Sequence, residues 1–265
     1  MIKLKTPEDI EGLKVCGALS KEVLRLAGKM VKPGISTLEI DKFCEDFIRM
    51  KGGIPGFKGY GGFPGTICAS VNDEVVHGIP AADRILVDGD IISIDTGATV
   101  NGWVGDNAWT FAVGHISDEV KALLEVTRDC LSLAIEQAVP GNHLGDIGYA
   151  VQSHAEKHGY GVIREYVGHG IGRHMHEEPD VRNYGQRHHG IKLQAGMCIA
   201  IEPMITMGKR YVHTLKNDWT VVTDDGSLAA HFENTVAITP DGPVITTAEP
   251  GFNPMDVDEG RNALA

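Results

Sequence analysis

Two duplicated halves of α+β type around an antiparallel sheet are what this sequence predicts, on three observations. Capped, helix-type segments precede β-type segments, and that order then repeats. Sliding the first helical pair by 107 positions lays it over a second pair without a gap. The same offset carries on into the β-rich regions, which marks an internal duplication rather than a biased composition.

The elements follow in order. The first helix opens at Thr6-Pro7-Glu8-Asp9, with an N-cap threonine, proline at the first helical position and an acid at the third. A second runs from Ser36, where Glu39 completes a capping box, to a stop at Gly52. The third begins after Ser117 and the fourth ends at Gly159. At the 107-residue offset Leu24 falls on Leu131, Leu26 on Leu133, Ala27 on Ala134, Pro33 on Pro140, Gly34 on Gly141, Ile40 on Ile147 and Gly52 on Gly159. Further on, Gly89 meets Gly196, Ile92 meets Ile199, Ile94 meets Ile201, and Asp95 meets Glu202. A carboxylate therefore recurs at equivalent places. One domain over residues 1–248 is expected, with repeats of about 1–111 and 112–248 and a site between them; the Pro- and Gly-rich residues 249–265 read as a carboxyl-terminal tail.

The β-type stretch DGDIISIDTGATVNGWVGDNAWTF, residues 88–111, contains Asn101 and Gly102, the preferred pair for a type I′ hairpin turn. That turn pairs 100 with 103, so 95 lies opposite 108 and 97 opposite 106. Asp95 and Asp106 become diagonal neighbours on one face.

At 265 residues and 42% hydrophobic content the chain buries a sizeable core. A net charge of −12 argues against a nucleic-acid surface. The five cysteines are scattered and never spaced C-x-x-C, which suggests reduced thiols rather than disulfides or a thiolate zinc site. The amino terminus carries no apolar run of signal-peptide or membrane-span length, so a cytoplasmic protein is expected.

Two carboxylates about 4 Å apart repel by about 4 kcal/mol at an effective dielectric constant of about 20. A shared proton, a basic side chain or a metal must offset this, and the flanking strands hold no basic residue. Glu202 in GMCIAIEPMI and Glu233 in HFENTVAIT also interrupt apolar β-runs. His169 and His176 stand seven apart in the glycine-rich VGHGIGRHMHEEP, and His77 sits in VVHGIP. A zincin H-E-x-x-H would need histidine where Asp180 stands, and G-x-G-x-x-G would need glycine where Arg173 stands. Four carboxylates and one imidazole suit Mn²⁺, Fe²⁺ or Co²⁺, with Zn²⁺ also accommodated. Four negative charges match two divalent ions, so hydrolysis by metal-activated water is the leading chemistry.

At these residues the chain resembles the type 1 methionine aminopeptidases, bacterial short form, over nearly its whole length. The strings that carry the resemblance are VNDEVVHGIP, GDIISIDTG, GDNAWTF, GHGIGRHMHEEP, AIEPMI and SLAAHFENT. It implies the pita-bread (creatinase/aminopeptidase) fold and removal of the initiator methionine from nascent polypeptides with a small second residue. Asp95, Asp106, His169, Glu202 and Glu233 become the ligands of two divalent ions (Fe²⁺, Mn²⁺, Co²⁺ or Zn²⁺), with Asp106 and Glu233 bridging. His176 is implied at the scissile carbonyl and its oxyanion, His77 near the leaving nitrogen, and Glu202 as proton shuttle. The methionine pocket is implied at Tyr60, Phe63, Cys68, Met175 and Trp219, with Phe57 nearby. Here Phe63 replaces a frequent tyrosine, Met175 a frequent phenylalanine, and Phe57 stands where a small cysteine occurs.

The implied partners are nascent chain termini at the ribosome, with a monomeric enzyme and no nucleic-acid or membrane contact. Prolidases and Xaa-Pro aminopeptidases share a similar catalytic half but add an amino-terminal domain for which this chain has no room. Type 2 methionine enzymes carry an insert between the last two glutamates, here only 31 positions apart. A non-catalytic binding protein on the same fold would lack some ligands, whereas all five residues are present.

Overall fold

A computed structural model of the chain describes residues 1–248; the tail expected at 249–265 lies outside the described residues. The first half contains α1 (Pro7–Met30), α2 (Thr37–Met50), β1 (Ile54–Pro55), β2 (Ile67–Val71), β3 (Glu74–Val76), β4 (Ile91–Val100) and β5 (Trp103–Ala112). The second contains α3 (Asp118–Glu136), α4 (Leu144–Lys157), β6 (Gly161–Val162), β7 (Gly168–Gly170), β8 (Glu177–Val181), β9 (Cys198–Ile201), β10 (Met204–Thr206), β11 (Val212–Thr214), β12 (Val221–Thr223), β13 (Ala229–His231), β14 (Asn234–Thr239) and β15 (Gly242–Ile245).

The helix starts obey the caps read from the sequence. Thr6 and Asp9 exchange capping hydrogen bonds at α1, Ser36 and Glu39 do so at α2, and the Ser117 hydroxyl accepts from the Val120 N–H at α3. Both ends of α4 lie 107 positions beyond those of α2. The paired glycines agree as well, with left-handed φ of 92° and 99° at Gly34 and Gly141, and 96° and 93° at Gly89 and Gly196. Those φ values are readily adopted by glycine, which is why these turns recur with it.

In the first half β4 is flanked by β2 and β5, with β1 pairing its far end. In the second, β9 is flanked by β14 and β7, in the order β15-β14-β9-β7-β8. Every ladder is antiparallel. The small sheet β11-β12-β3 ties the halves together, because β3 comes from the first and β12 from the second. Helix α1 crosses the β4–β5 hairpin where Gly105 and Gly17 meet; a Cβ on Gly105 would lie 2.7 Å from the Gly17 Cα, so neither position has room for a side chain.

One core spans both halves. Leu24, Ile40, Ile48, Ile67 and Ile94 from the first pack in the same cluster as Leu123, Leu131, Ile147, Ile199 and Ile201 from the second. All five cysteines are free and buried. Among the described residues no helix is long and apolar enough to cross a membrane.

Candidate metal centre

The hairpin has the register that its turn predicts. Val100 pairs with Trp103, Asp95 with Ala108 and Gly97 with Asp106, while Asn101 and Gly102 take φ of 52° and 74°. Asp95 and Asp106 thus stand diagonally on one face, and Cys68 lies opposite Asp95 on the other neighbour. The second half brings its acids to the same cleft from two strands. Ile201 pairs with Asn234, and one step further along the ladder Glu202 comes beside Glu233.

His169, in β7, completes the group. Its Nδ1 lies 2.9 Å from the Gly170 carbonyl, so the ring donates there and turns Nε2 toward the acids. Nε2 is 3.6 Å from Asp106 Oδ2 and 3.7 Å from Glu202 Oε1. A second histidine, His231, faces the opposite side, its Nε2 3.8 Å from both Glu202 Oε2 and Glu233 Oε2.

Hydroxyls join the two halves at this seam. The Thr235 hydroxyl donates to the Asp106 carbonyl at 2.9 Å and accepts from the Asp106 N–H at 3.4 Å. The Thr110 hydroxyl does the same to the backbone of His231, at 2.9 Å in both directions. Both clasps relate by a single offset of 125 positions, 110 to 235 and 106 to 231, so each half grips the other in the same manner. Between them the Glu233 N–H donates to the Ala108 carbonyl.

The acids are held against their preference. Burial, then the neighbouring carboxylates Asp106 and Glu202, pushes Asp95 well above the usual carboxylate range, and Glu233 is raised in the same way. Burial raises Glu202 to about 8 despite the His169 charge beside it. Burial would lower His169, but Asp106 and Glu202 outweigh it and raise the imidazole to about 9. Asp95 Oδ1, Asp106 Oδ1, Glu233 Oε1 and His231 Nε2 are buried without a hydrogen-bond partner. Each such orphan costs about 1–3 kcal/mol, a penalty that a shared cation would remove. Asp106, His169 and Glu233 offer donor atoms within 4.8 Å of one another, as do Glu202, His231 and Glu233, with Glu233 common to both sets. Oxygen and imidazole donors of this kind fit a divalent cation.

Around the acids stand the residues expected to meet substrate. His176 Nδ1 is 2.8 Å from the Tyr60 hydroxyl, and its ring lies 4.2 Å from that of His169. Burial, then the His169 charge, lowers His176 to about 4, so it is neutral at pH 7. His77, also lowered by burial, stands edge-on to Tyr166 and Trp219. Phe63 packs edge-on against Trp219 at 5.1 Å. Burial, then Asp95, holds the Cys68 thiol far above its ordinary value, which leaves it an uncharged wall. Met175 and Phe57 pack where a Gly97 side chain would project, its methyl 2.7 Å from that Cβ position, on the face that also carries Asp95.

Three features escaped sequence reasoning. His231 sits two positions before Glu233, the period that puts both on one strand face, which is the signal that would have singled it out. The threonine clasps had no local signal, since they depend on how two distant strands abut. The third is the anchor of the His176 loop: Glu177 accepts from the Arg173 and His174 N–H groups through Oε1 and binds Lys5 Nζ through Oε2 at 2.7 Å. Both side chains of that ion pair are nearly buried.

Comparison with known proteins follows the same lines. The model of Metallopeptidase family M24 matches residues 11–240. A methionine aminopeptidase of Clostridium acetobutylicum is 53% identical over 247 residues, covering 93% of this chain and 99% of that protein. Methionine aminopeptidase 1 of Bacillus subtilis is 52% identical, with 91% and 97% covered. The crystal structure of methionine aminopeptidase from Rickettsia prowazekii superposes with a TM-score of 0.92 at 43% identity, covering 93% of this chain and 100% of that one. The prolidase from Pyrococcus horikoshii OT3, at 23% identity and a TM-score of 0.74, shares the fold over 93% of this chain and 64% of its own.

Proposed function

This chain belongs to metallopeptidase family M24 and, within it, to the type 1 methionine aminopeptidases, and from that premise we propose how its residues divide the work. It is a metal-dependent aminopeptidase that releases an N-terminal methionine, and its substrates are polypeptide amino termini. The finer assignment is ours. Asp95, Asp106, His169, Glu202 and Glu233 would hold two divalent ions, of the Fe²⁺, Mn²⁺, Co²⁺ or Zn²⁺ kind. When bound, such ions neutralise the carboxylates, lower the pKa of an attacking water and polarise the scissile carbonyl.

The chain's own groups account for the rest. Glu202, whose side chain keeps 12% exposure, takes the proton that the attacking water sheds and returns it to the leaving nitrogen. His176 is neutral, and the Tyr60 hydroxyl at its Nδ1 favours a proton on Nε2. That N–H donates to the carbonyl oxygen as negative charge develops on it. His77, kept neutral by burial, meets the peptide on the side of the leaving nitrogen. Tyr60, Phe63, Cys68, Met175 and Trp219, with Phe57 beside them, form an apolar pocket for a flexible thioether. A small second residue is favoured. Residues 1–248 act as one catalytic unit of two repeats, 1–111 and 112–248, in a monomer that works in the cytoplasm on nascent chains at the ribosome, without touching nucleic acid.

What supports this reading most is the convergence of four acids and an imidazole from both halves on one cleft, with His169 Nε2 within 3.7 Å of two of those acids. The test is release of methionine from Met-Ala-Ser. Chelation should abolish it and Mn²⁺ or Co²⁺ should restore it. Turnover that survives chelation, or faster cleavage of an Xaa-Pro peptide, would overturn the assignment.

A further inference from the structure

We propose that His143, Asp146 and His188 form a second metal site, separate from the cleft, for a transition-metal dication of the zinc, nickel or copper class. The argument begins with a break in the repeat. Ser36 opens α2, and its hydroxyl both accepts from the Glu39 N–H and donates to the Glu39 carboxylate. The residue 107 positions later is His143, at the same place before α4, and Asp146 stands where Glu39 stood. The carboxylate keeps its half of the exchange, accepting from the His143 N–H at 2.8 Å. The imidazole takes up no comparable role: its Nδ1 is buried without a hydrogen-bond partner, 3.7 Å from Asp146 Oδ2.

A third donor arrives from the segment between β8 and β9. The His188 N–H donates to Asp146 Oδ1 at 2.9 Å, which brings the His188 ring back over the same carboxylate, Nδ1 3.8 Å from Oδ1. The two imidazoles stand edge to face, centroids 6.5 Å apart at 85°. One atom from each of the three residues lies within 4.8 Å of the others. A tetrahedral ion with ligands at about 2.1 Å needs donors about 3.4 Å apart, near the 3.7 and 3.8 Å that separate the two imidazole nitrogens from the Asp146 carboxylate, one contact to each of its oxygens.

Chemistry narrows the ion. Two borderline imidazole donors outnumber one hard carboxylate, a set that favours Zn²⁺, Ni²⁺ or Cu²⁺ over Mg²⁺ and Ca²⁺. Asp146 is 95% buried, yet each oxygen accepts a single backbone N–H and keeps a lone pair free. Burial raises its pKa, but the His188 and His143 N–H groups outweigh that and hold it below the ordinary aspartate value, so it is ionised at neutral pH. A cavity of about 360 Å³, lined among others by Asn142, Tyr149, His154 and Arg187, adjoins the site and leaves room for water in the fourth position. An ion here pins the 182–197 segment to the start of α4. None of the three residues is shared with the acids of the cleft.

Equilibrium dialysis against Zn²⁺ with elemental analysis tests this on the full chain. H188A and H143A should each bind one equivalent per chain fewer than the wild type, and excess Zn²⁺ should raise the melting temperature of the wild type and of H189A by more than that of H188A or H143A. H189A alters the adjacent exposed imidazole, whose Nδ1 faces the Arg187 carbonyl; it should keep the full count, and methionine release should be unchanged in all three. Equal counts throughout, or the same loss in H189A, overturn the proposal. A measurement without variants stands beside it: Ni²⁺ should broaden the imidazole NMR resonances of His143 and His188 together, and broadening of His188 alone overturns a shared site.

Discussion

The two halves reach one cleft by different means. In the first, Asp95 and Asp106 sit on an uninterrupted ten-residue pair of strands closed by a two-residue turn, so local geometry alone sets their spacing. In the second, the strand equivalent to β4 breaks after Ile201, at Glu202 and Pro203, and resumes only at Met204. Its partner strand begins after Glu233, and His169 and His176 come from a bulged strand and an irregular segment. The hairpin sets the spacing of its acids through its own ladder, whereas the segment that carries His176 is anchored from outside by Lys5 through Glu177, and the two threonine clasps hold both halves at the seam. The duplication thus preserved a frame while one copy loosened to admit histidines and a substrate cleft.

That contrast can be broken or sharpened by substitution. The largest effect is expected where the halves share a charge: Asp106→Asn should lower kcat/KM about 10³-fold, about 4 kcal/mol of barrier, whereas Cys68→Ser, a neutral wall of the same hairpin, should change it less than about tenfold. Peptide hydrolysis together with metal content reads both, and equal losses would mean that the hairpin matters as a shape and not as a source of charge. Cutting a tether comes next. Lys5→Met leaves Glu177 nearly buried and unpaired, and should lower stability by about 2–3 kcal/mol, somewhat under the cost for a fully buried pair. It should also slow turnover about 10–100-fold by loosening His176, as loss of an outer support does at metal centres. Unchanged turnover with a lowered melting temperature would show that the loop does not depend on that anchor.

The remaining effect is read on metal uptake and not on turnover, in its acid dependence. Glu202 at about 8 and His169 at about 9 hold protons in the metal-free protein at pH 7, because both are raised above their ordinary values. A raised group is protonated below its shifted pKa, and a divalent ion must displace that proton. Asp95 and Glu233 are raised as well, so affinity should climb from pH 6 to 9 by about tenfold per pH unit for each proton released. Calorimetry in buffers of different ionisation enthalpy counts the protons; a flat profile from pH 6 to 9 would remove the electrostatic account of the cleft.

How much of this was legible beforehand follows from range along the chain. Helix caps at Thr6, Ser36 and Ser117 are three-residue patterns, and they read correctly. The hairpin register followed from Asn101 and Gly102 because a turn that admits two residues leaves no freedom to slip. The four acids stood out as polar interruptions of apolar strands, and the structure sets Asp106, Glu202 and Glu233 around the two imidazoles, with Asp95 beside Asp106 and Glu202. What stayed hidden is non-local. Nothing near Thr110 announces that it will grip His231, 121 positions away, and His231, the last residue of β13, carried only its two-residue spacing from Glu233 as a sign of the role. The same holds for Met175, which takes the space left by Gly97, a residue 78 positions earlier.

The reciprocal threonine clasps also bear on how such a molecule can be taken apart. Each hydroxyl donates and accepts across the join, so neither half satisfies its own backbone there without the other. A chain severed in the connection between β5 and α3 would give two fragments, one with Asp95, Asp106 and His77 and the other with Glu202, Glu233, His169 and His176. Neither piece alone encloses a cavity for substrate. Catalysis would return only on mixing, with second-order kinetics, which makes the enzyme formally a dimer written on one strand of polypeptide.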